Sequence, residues 1–203
     1  KTAKIFKEKD YTDWFPTLNF SFEFTEKENI TLGYSRRIRR PRSWSLNPFR
    51  SLTSLTFFRQ GNPDLDPSYS NLFDLGYLKW WNKFTFNSSV YYQKATQVIE
   101  RITETTGELV VVSVNPLVEL PEFRSTSVNL SENIRTGTEF TITYSPKRQV
   151  RLSGNFNIFN SETIGFYKGV PLDRKIVSWF MRFNSSFPLA FGINTQLNGF
   201  YFG

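Results

Sequence analysis

The chain has 203 residues, enough for one domain with a sizeable core, and 25 Lys and Arg against 18 Asp and Glu leave a net charge of +7. It contains no histidine and no cysteine, which excludes imidazole and thiol chemistry and disulfides and restricts any zinc site to carboxylate ligands. The basic balance suits anionic partners such as nucleic acid or phosphorylated lipid, while 22 Phe and 18% aromatics argue for a folded chain.

The opening KTAKIFKEKD is charged, begins without Met and shows no signal-peptide pattern, so it reads as an internal piece or a chain whose leader was removed. No run reaches the ~18 apolar residues of a membrane helix, and mean hydropathy is negative. Neither fact bears on a β-barrel, where only alternate residues meet lipid.

Beyond the opening the period is two. LNFSFEF sets Phe20 and Phe22 opposite Asn19 and Ser21, and ITLGYS sets Ile30 and Leu32 opposite Thr31 and Gly33. NLFDLGYLKW opposes Phe73 and Leu75 to Asp74 and Gly76, and FTFNSSVYY opposes Phe84 and Phe86 to Thr85 and Asn87. EFTITYS, VRLSGNFNI, VSWFMRFNSSF and FGINTQLNGFYF continue the alternation. These eight segments predict eight strands and an all-β chain. Phe20, Phe22, Phe86, Ile142, Leu152, Trp179 and Ile193 are expected on one face, and Asn87, Thr141, Asn155, Asn184 and Gln196 on the other.

The connections alternate in length. Tight turns fall near residues 26–29, 81–82, 146–149 and 188–190, and long segments cover about 39–67, 97–132 and 160–174. Short turns at one end and long loops at the other are the layout of an antiparallel transmembrane β-barrel. The polar face is mostly Ser, Thr, Asn, Gln and Gly rather than Lys and Glu, which suits a crowded, hydrated lumen better than bulk water. Aromatics near strand ends, among them Trp80, Trp81 and Phe200 to Phe202, suit interfacial girdles. An aromatic β-sandwich core is the alternative.

YSRRIRRPRSWSLNPF, residues 34–49, holds five arginines and no acid. Arg37 shares the phase of Gly33 and Ser35 and is expected in the lumen. Arg36 is expected near the membrane border, where its stem can snorkel. Arg39, Arg40 and Arg42 fall at a strand's outer rim and in its loop, with Pro41 ending the strand because it cannot donate to the ladder. Arg37, Arg39, Arg40, Arg42, Asp74, Arg151 and Arg182 are the candidate lumenal, plug or rim contacts. A charge facing lipid at mid-depth costs on the order of 2–4 kcal/mol for Lys or Arg, which assigns Glu23, Asp74, Arg151 and Arg182 inward.

The ordered set Phe15 and Pro16; Tyr34 to Arg37; Pro41; Leu46 to Phe49; and Gly61, Asn62, Pro63, Leu65 and Pro67 resembles the barrel region of TonB-dependent receptors of the Bacteroidota type, an outer-membrane β-barrel family. It covers residues 14–77 closely and the rest by pattern. The resemblance implies a bacterial outer-membrane location, and a barrel of about twenty-two strands closed by a plug. It also implies import of a scarce ligand, powered by TonB. Residues 1–203 are expected to be a partial barrel domain of about eight strands, without plug or TonB box, whose first and last strands do not pair. The implied partners are outer-membrane lipid and lipopolysaccharide, the protein's own plug, TonB, and further outer-membrane proteins. No nucleic acid and no cofactor are expected.

Other constellations read as structure. Asn62, Asp64 and Asp66 alternate as Ca²⁺ ligands can, but the EF-hand acids are missing, so a proline-fixed loop is expected. The apolar run at residues 109–112 predicts a strand pair turning near Thr106 and Gly107, which also offers an external surface for ligand or partner. Glu100, Glu104, Glu119, Glu122 and Asp173 show no spacing for paired-carboxylate hydrolysis. Three functions therefore stand in order: a section of an energised importer, an accessory barrel subunit of a secretion or assembly machine, and a soluble basic β-domain for nucleic acid or glycan. An enzyme is not expected, because no nucleophile–base pair, metal motif or phosphate loop is present.

Overall fold

The computed structural model describes residues 9–203; the charged opening, residues 1–8, lies outside them. All eight expected strands are present: β1 (Thr17–Thr25), β2 (Glu28–Arg39), β5 (Ser68–Trp80), β6 (Phe84–Val114), β7 (Leu117–Lys147), β8 (Val150–Ile164), β11 (Arg174–Pro188) and β12 (Asn194–Phe202). They form one sheet in the order β1-β2-β5-β6-β7-β8-β11-β12, each strand beside the next long strand in the sequence. β1 and β12 are the two edges and do not pair, so the sheet does not close on itself.

The chain packs as two compact units. One comprises residues 15–37, 70–95 and 132–203 and holds the alternating strands. Its register matches like with like. Phe20 lies opposite Leu32 and Ser21 opposite Thr31. Phe140 lies opposite Phe156 and Thr141 opposite Asn155, and Met181 lies opposite Tyr201. A slip of one residue would turn every ring to the other face, so the alternation itself fixes the register.

The apolar face of this unit has no second layer on it. Phe20 and Phe22 are each 64% exposed, and Ile142 and Ile193 are also more than half exposed. This removes the sandwich alternative, in which these rings would form the core between two sheets. Among the described residues, the buried hydrophobic side chains, Phe58, Leu65 and Leu130, all belong to the other unit.

That other unit comprises residues 38–69 and 96–131 with the described residues 9–14. β2 ends at Arg39, two residues before Pro41, as expected. The long segment then forms a short helix, α1 (Ser43–Leu46), and two short strands, β3 (Ser51–Ser54) and β4 (Phe57–Arg59). β3 pairs with β4, and β4 runs parallel to β7 from Phe123 to Ser125. Two further pairs of residues, β9 (Phe166–Tyr167) and β10 (Val170–Pro171), form a small hairpin between β8 and β11.

The expected turn near Thr106 and Gly107 is not there. β6 continues to Val114 and the chain reverses at Asn115 and Pro116. Gly107 does adopt a left-handed φ of 83°. The Thr106 hydroxyl, however, donates to the Glu122 carboxylate at 3.1 Å, which ties the strands together at this level. Pro116 has no N–H to extend the ladder and so takes the turn.

Candidate functional site

The polar face of the alternating unit is a hydrogen-bonded surface. Asn155 Nδ2 donates to Glu139 Oε1 at 2.6 Å and to Thr141 Oγ1 at 2.9 Å. The Tyr91 hydroxyl donates to Asn157 Oδ1 at 3.2 Å, and Asn133 Nδ2 donates to Thr163 Oγ1 at 2.9 Å. Short amide and hydroxyl side chains reach their cross-strand neighbours, which accounts for the scarcity of Lys and Glu here. Two hollows open on this face. One, of about 210 Å³, is lined by Asp74, Glu139, Thr31, Asn87 and Thr141. The other, of about 250 Å³, is lined by Arg151, Ser153, Asn184 and Gln196. Asn87, Thr141, Asn184 and Gln196 therefore lie together with the polar set, as the alternation requires.

Among the described residues, Asp74, Arg151 and Arg182 make no ion pair with one another. Asp74 has a second carboxylate, Glu139, in the same hollow. Arg182 lies over the rings of Phe180 and Phe200, 5.9 and 5.5 Å from their centroids. The register explains this, because Arg182 stands opposite Phe200 on one side and Asn155 on the other, with no acid in either place. The same register puts Phe200 and Phe202 in phase with Asn198 rather than with Tyr201. Of the aromatic cluster ending the chain, Tyr201 alone keeps the apolar phase, where it meets Trp179 at 5.4 Å.

The apolar face is bracketed by ion pairs. At the short-turn end, Lys79 Nζ lies 3.0 Å from Glu28 Oε2, the Tyr77 hydroxyl donates to Glu28 Oε1 at 2.6 Å, and Lys79 sits 5.5 Å from the Trp81 ring. Farther along β6 and β7, Lys94 Nζ lies 2.9 Å from Glu132 Oε2. Between the brackets run residues 84–92 of β6 and 134–144 of β7. These stretches match the roughly 9–11 residues that a tilted strand needs to cross the hydrocarbon core. Phe84 stacked on Tyr144, with centroids 4.4 Å apart, marks the short-turn border. Charge pairs at both borders, with Phe86, Val90, Phe140 and Ile142 between them, form the outer surface of a membrane-spanning wall.

In the other unit the loop arginines converge. Arg39, Arg40, Arg42 and Arg101 line a cavity of about 320 Å³, together with Trp44, Glu100 and the buried Ser45 and Ser127. The Arg101 guanidinium lies 5.1 Å from the Trp44 ring centroid, and Arg40 lies 5.6 Å from that of Tyr11. The rim arginines were legible in the sequence. Arg101 was not, because nothing in its spacing marks a strand that returns beside α1. Arg37 is exposed on β2, in phase with Ser35.

The motif GNPDLDP is a folding knot rather than a cation site. Lys9 Nζ lies 2.7 Å from Asp66 Oδ1 and donates to the carbonyl of Asp64 at 2.8 Å, so an ammonium sits where a cation would. Asn129 Nδ2 donates to the Asp66 and Gln97 carbonyls, and Leu65 is buried to 2% exposure. Among the described residues no group of acids is arranged to hold a metal.

Comparison with solved structures supports the same fold. The siderophore receptor PirA from Pseudomonas aeruginosa matches 94% of this chain with 34% of its own, at a TM-score of 0.69 and 16% identity. A ferric enterobactin receptor (PfeA) mutant from Pseudomonas aeruginosa, in complex with enterobactin, matches 94% of this chain at a TM-score of 0.54 and 16% identity, over 32% of its length. PirA from Acinetobacter baumannii matches 94% at a TM-score of 0.51 and 13% identity, over 33% of its length. The chain thus spans about a third of the receptors it matches. Curated proteins give no match. The model of the outer membrane protein beta-barrel family matches residues 1–203, the whole chain. With the bracketed apolar face and the unclosed antiparallel sheet, this match decides the matter: the chain belongs to the outer membrane protein β-barrel family of the bacterial outer membrane.

Proposed function

We propose that the chain is a wall section of a TonB-dependent receptor, importing a ligand with energy relayed by TonB. The observation that carries this reading is the pairing of a lipid-type apolar face with a hollowed, hydrogen-bonded polar face in a sheet that superposes on siderophore receptors. An open eight-strand path in a chain about a third the length of those receptors fits a section of a larger barrel. In that setting the polar face looks onto the plug. Asp74, Arg151 and Arg182, which make no ion pair with one another among the described residues, are then available to it. Arg37 takes the same role near the outer end of β2. Lipopolysaccharide meets the outer border of the apolar face.

The test uses the full-length receptor in isogenic cells with and without TonB. Small molecules that accumulate in the periplasm because the receptor is present are profiled by mass spectrometry. Accumulation that disappears with TonB is the expected result. Equal accumulation in both strains would contradict energised import, and no receptor-dependent accumulation in either would favour an accessory barrel.

A further inference from the structure

We propose that the arginine-lined cavity of the loop unit binds a small organic polyanion, one bearing carboxylate or phosphate groups. The proposal deepens the importer reading by naming the class of ligand the receptor takes first. Arg39, Arg40, Arg42 and Arg101 face one space of about 320 Å³ that also admits Glu100, a single acid against four bases. None of the four has a carboxylate partner among the described ion pairs. Elsewhere in the same unit Arg50 pairs with Glu122 and Arg124 with Glu104, while Arg59 has no carboxylate partner among the described ion pairs. Among the described residues, the four arginines that surround the cavity have only Glu100 beside them as an acid. Four cations gathered around one space repel each other, and an anion relieves that repulsion.

The side chains are also held in a way that suits capture. Arg101 lies against the Trp44 ring and Arg40 against that of Tyr11. A cation–π contact attracts the guanidinium without using up its N–H donors. Those donors form the planar fork that matches carboxylate and phosphate oxygens two at a time. Pre-positioned stems reduce the ordering cost of binding. The anion is either a soluble ligand or a headgroup phosphate of lipopolysaccharide, and the chemistry recognised is the same.

The experiment is titration calorimetry on the purified full-length receptor in detergent at physiological salt, with citrate and pyrophosphate as probes. One-site binding of at least one probe is expected. Arg42→Ala and Arg101→Ala should each weaken it by about tenfold or more, the usual scale for a lost charge-assisted hydrogen bond. Arg42→Lys should fall between, because it keeps the charge and loses the fork. Arg148→Ala, in the β7–β8 turn, controls for net charge and should bind as wild type. No one-site binding of either probe, or equal weakening by Arg148→Ala, would overturn the proposal. Displacement of the probe by purified lipopolysaccharide would assign the pocket to lipid headgroups and overturn its role in ligand capture, and failure to displace it would support capture of a soluble anion. The assay needs no TonB, so a negative result here leaves the import reading standing, and loss of TonB dependence leaves this site standing.

Discussion

Gly61→Ala is expected to unravel the loop unit. A Cβ built at Gly61 would lie 2.5 Å from the Asn47 carbonyl oxygen, 2.6 Å from the Asn47 nitrogen and 2.7 Å from the Ser45 carbonyl oxygen. All three are backbone atoms and cannot swing aside. Two hydrogen bonds hold the two segments this close: Gly61 N–H to Asn47 O and Asn62 N–H to Ser45 O, both at 2.7 Å. Moving the backbone to admit a methyl group breaks both and lifts the knot that buries Leu65. Overpacking against soft side chains costs about 1–3 kcal/mol, and against fixed backbone it should exceed that range. Trypsin digestion of the full-length receptor checks the outcome. Wild type should resist cleavage between Arg39 and Arg59, and Gly61→Ala should be cut there quickly. Wild-type resistance in the variant would show that the close approach is not needed.

The second large effect is expected at Arg50. Its partner Glu122 is 5% exposed, and the Arg50 guanidinium lies 3.8 Å from the centroid of the buried Phe58 ring. Arg50→Ala leaves a buried carboxylate whose one close side-chain donor among the described residues is the Thr106 hydroxyl, and it uncovers the ring. The loss should be about 2–3 kcal/mol, below that of a fully buried pair because Arg50 is itself half exposed. Arg50→Met combined with Glu122→Leu removes both charges and should recover most of it. Hydrogen exchange at the amides of residues 105–109 and 122–125 reads the difference. If the double variant exchanges as fast as the single one, the unpaired carboxylate is not the cause.

The strands were legible because one face is apolar and one polar, which makes a period of two. Every long strand read from that period is present, and Asp74 and Arg151 line hollows among the polar set. Where that condition fails, the reading fails. Residues 96–131 pack in the loop unit, whose described buried hydrophobic residues are Phe58, Leu65 and Leu130; the apolar run at 109–112 marked a strand pair there, but nothing in it marked the turn at Pro116 rather than near Gly107. The ring stack that places Arg182 on Phe200 depends on register between strands, which hydropathy cannot supply. GNPDLDP declared a turn, but the close approach of Gly61 to Asn47 is a tertiary fact. The arginines of residues 36–42 were conspicuous in the sequence, and the cavity that three of them share with Arg101 was not.

Labelling of introduced cysteines in outer membranes tests the central claim most directly. This segment has no cysteine of its own, so each substitution places a single thiol in it. Cysteines replacing Phe22, Ile142 and Ile193 should react with a membrane-soluble maleimide and be shielded from a charged one. Cysteines replacing Asn87, Thr141 and Asn184 should react with the charged reagent once the barrel is opened to water. That alternation is the result a membrane wall predicts. Equal access of the charged reagent to both sets, residue after residue along β7, would contradict it.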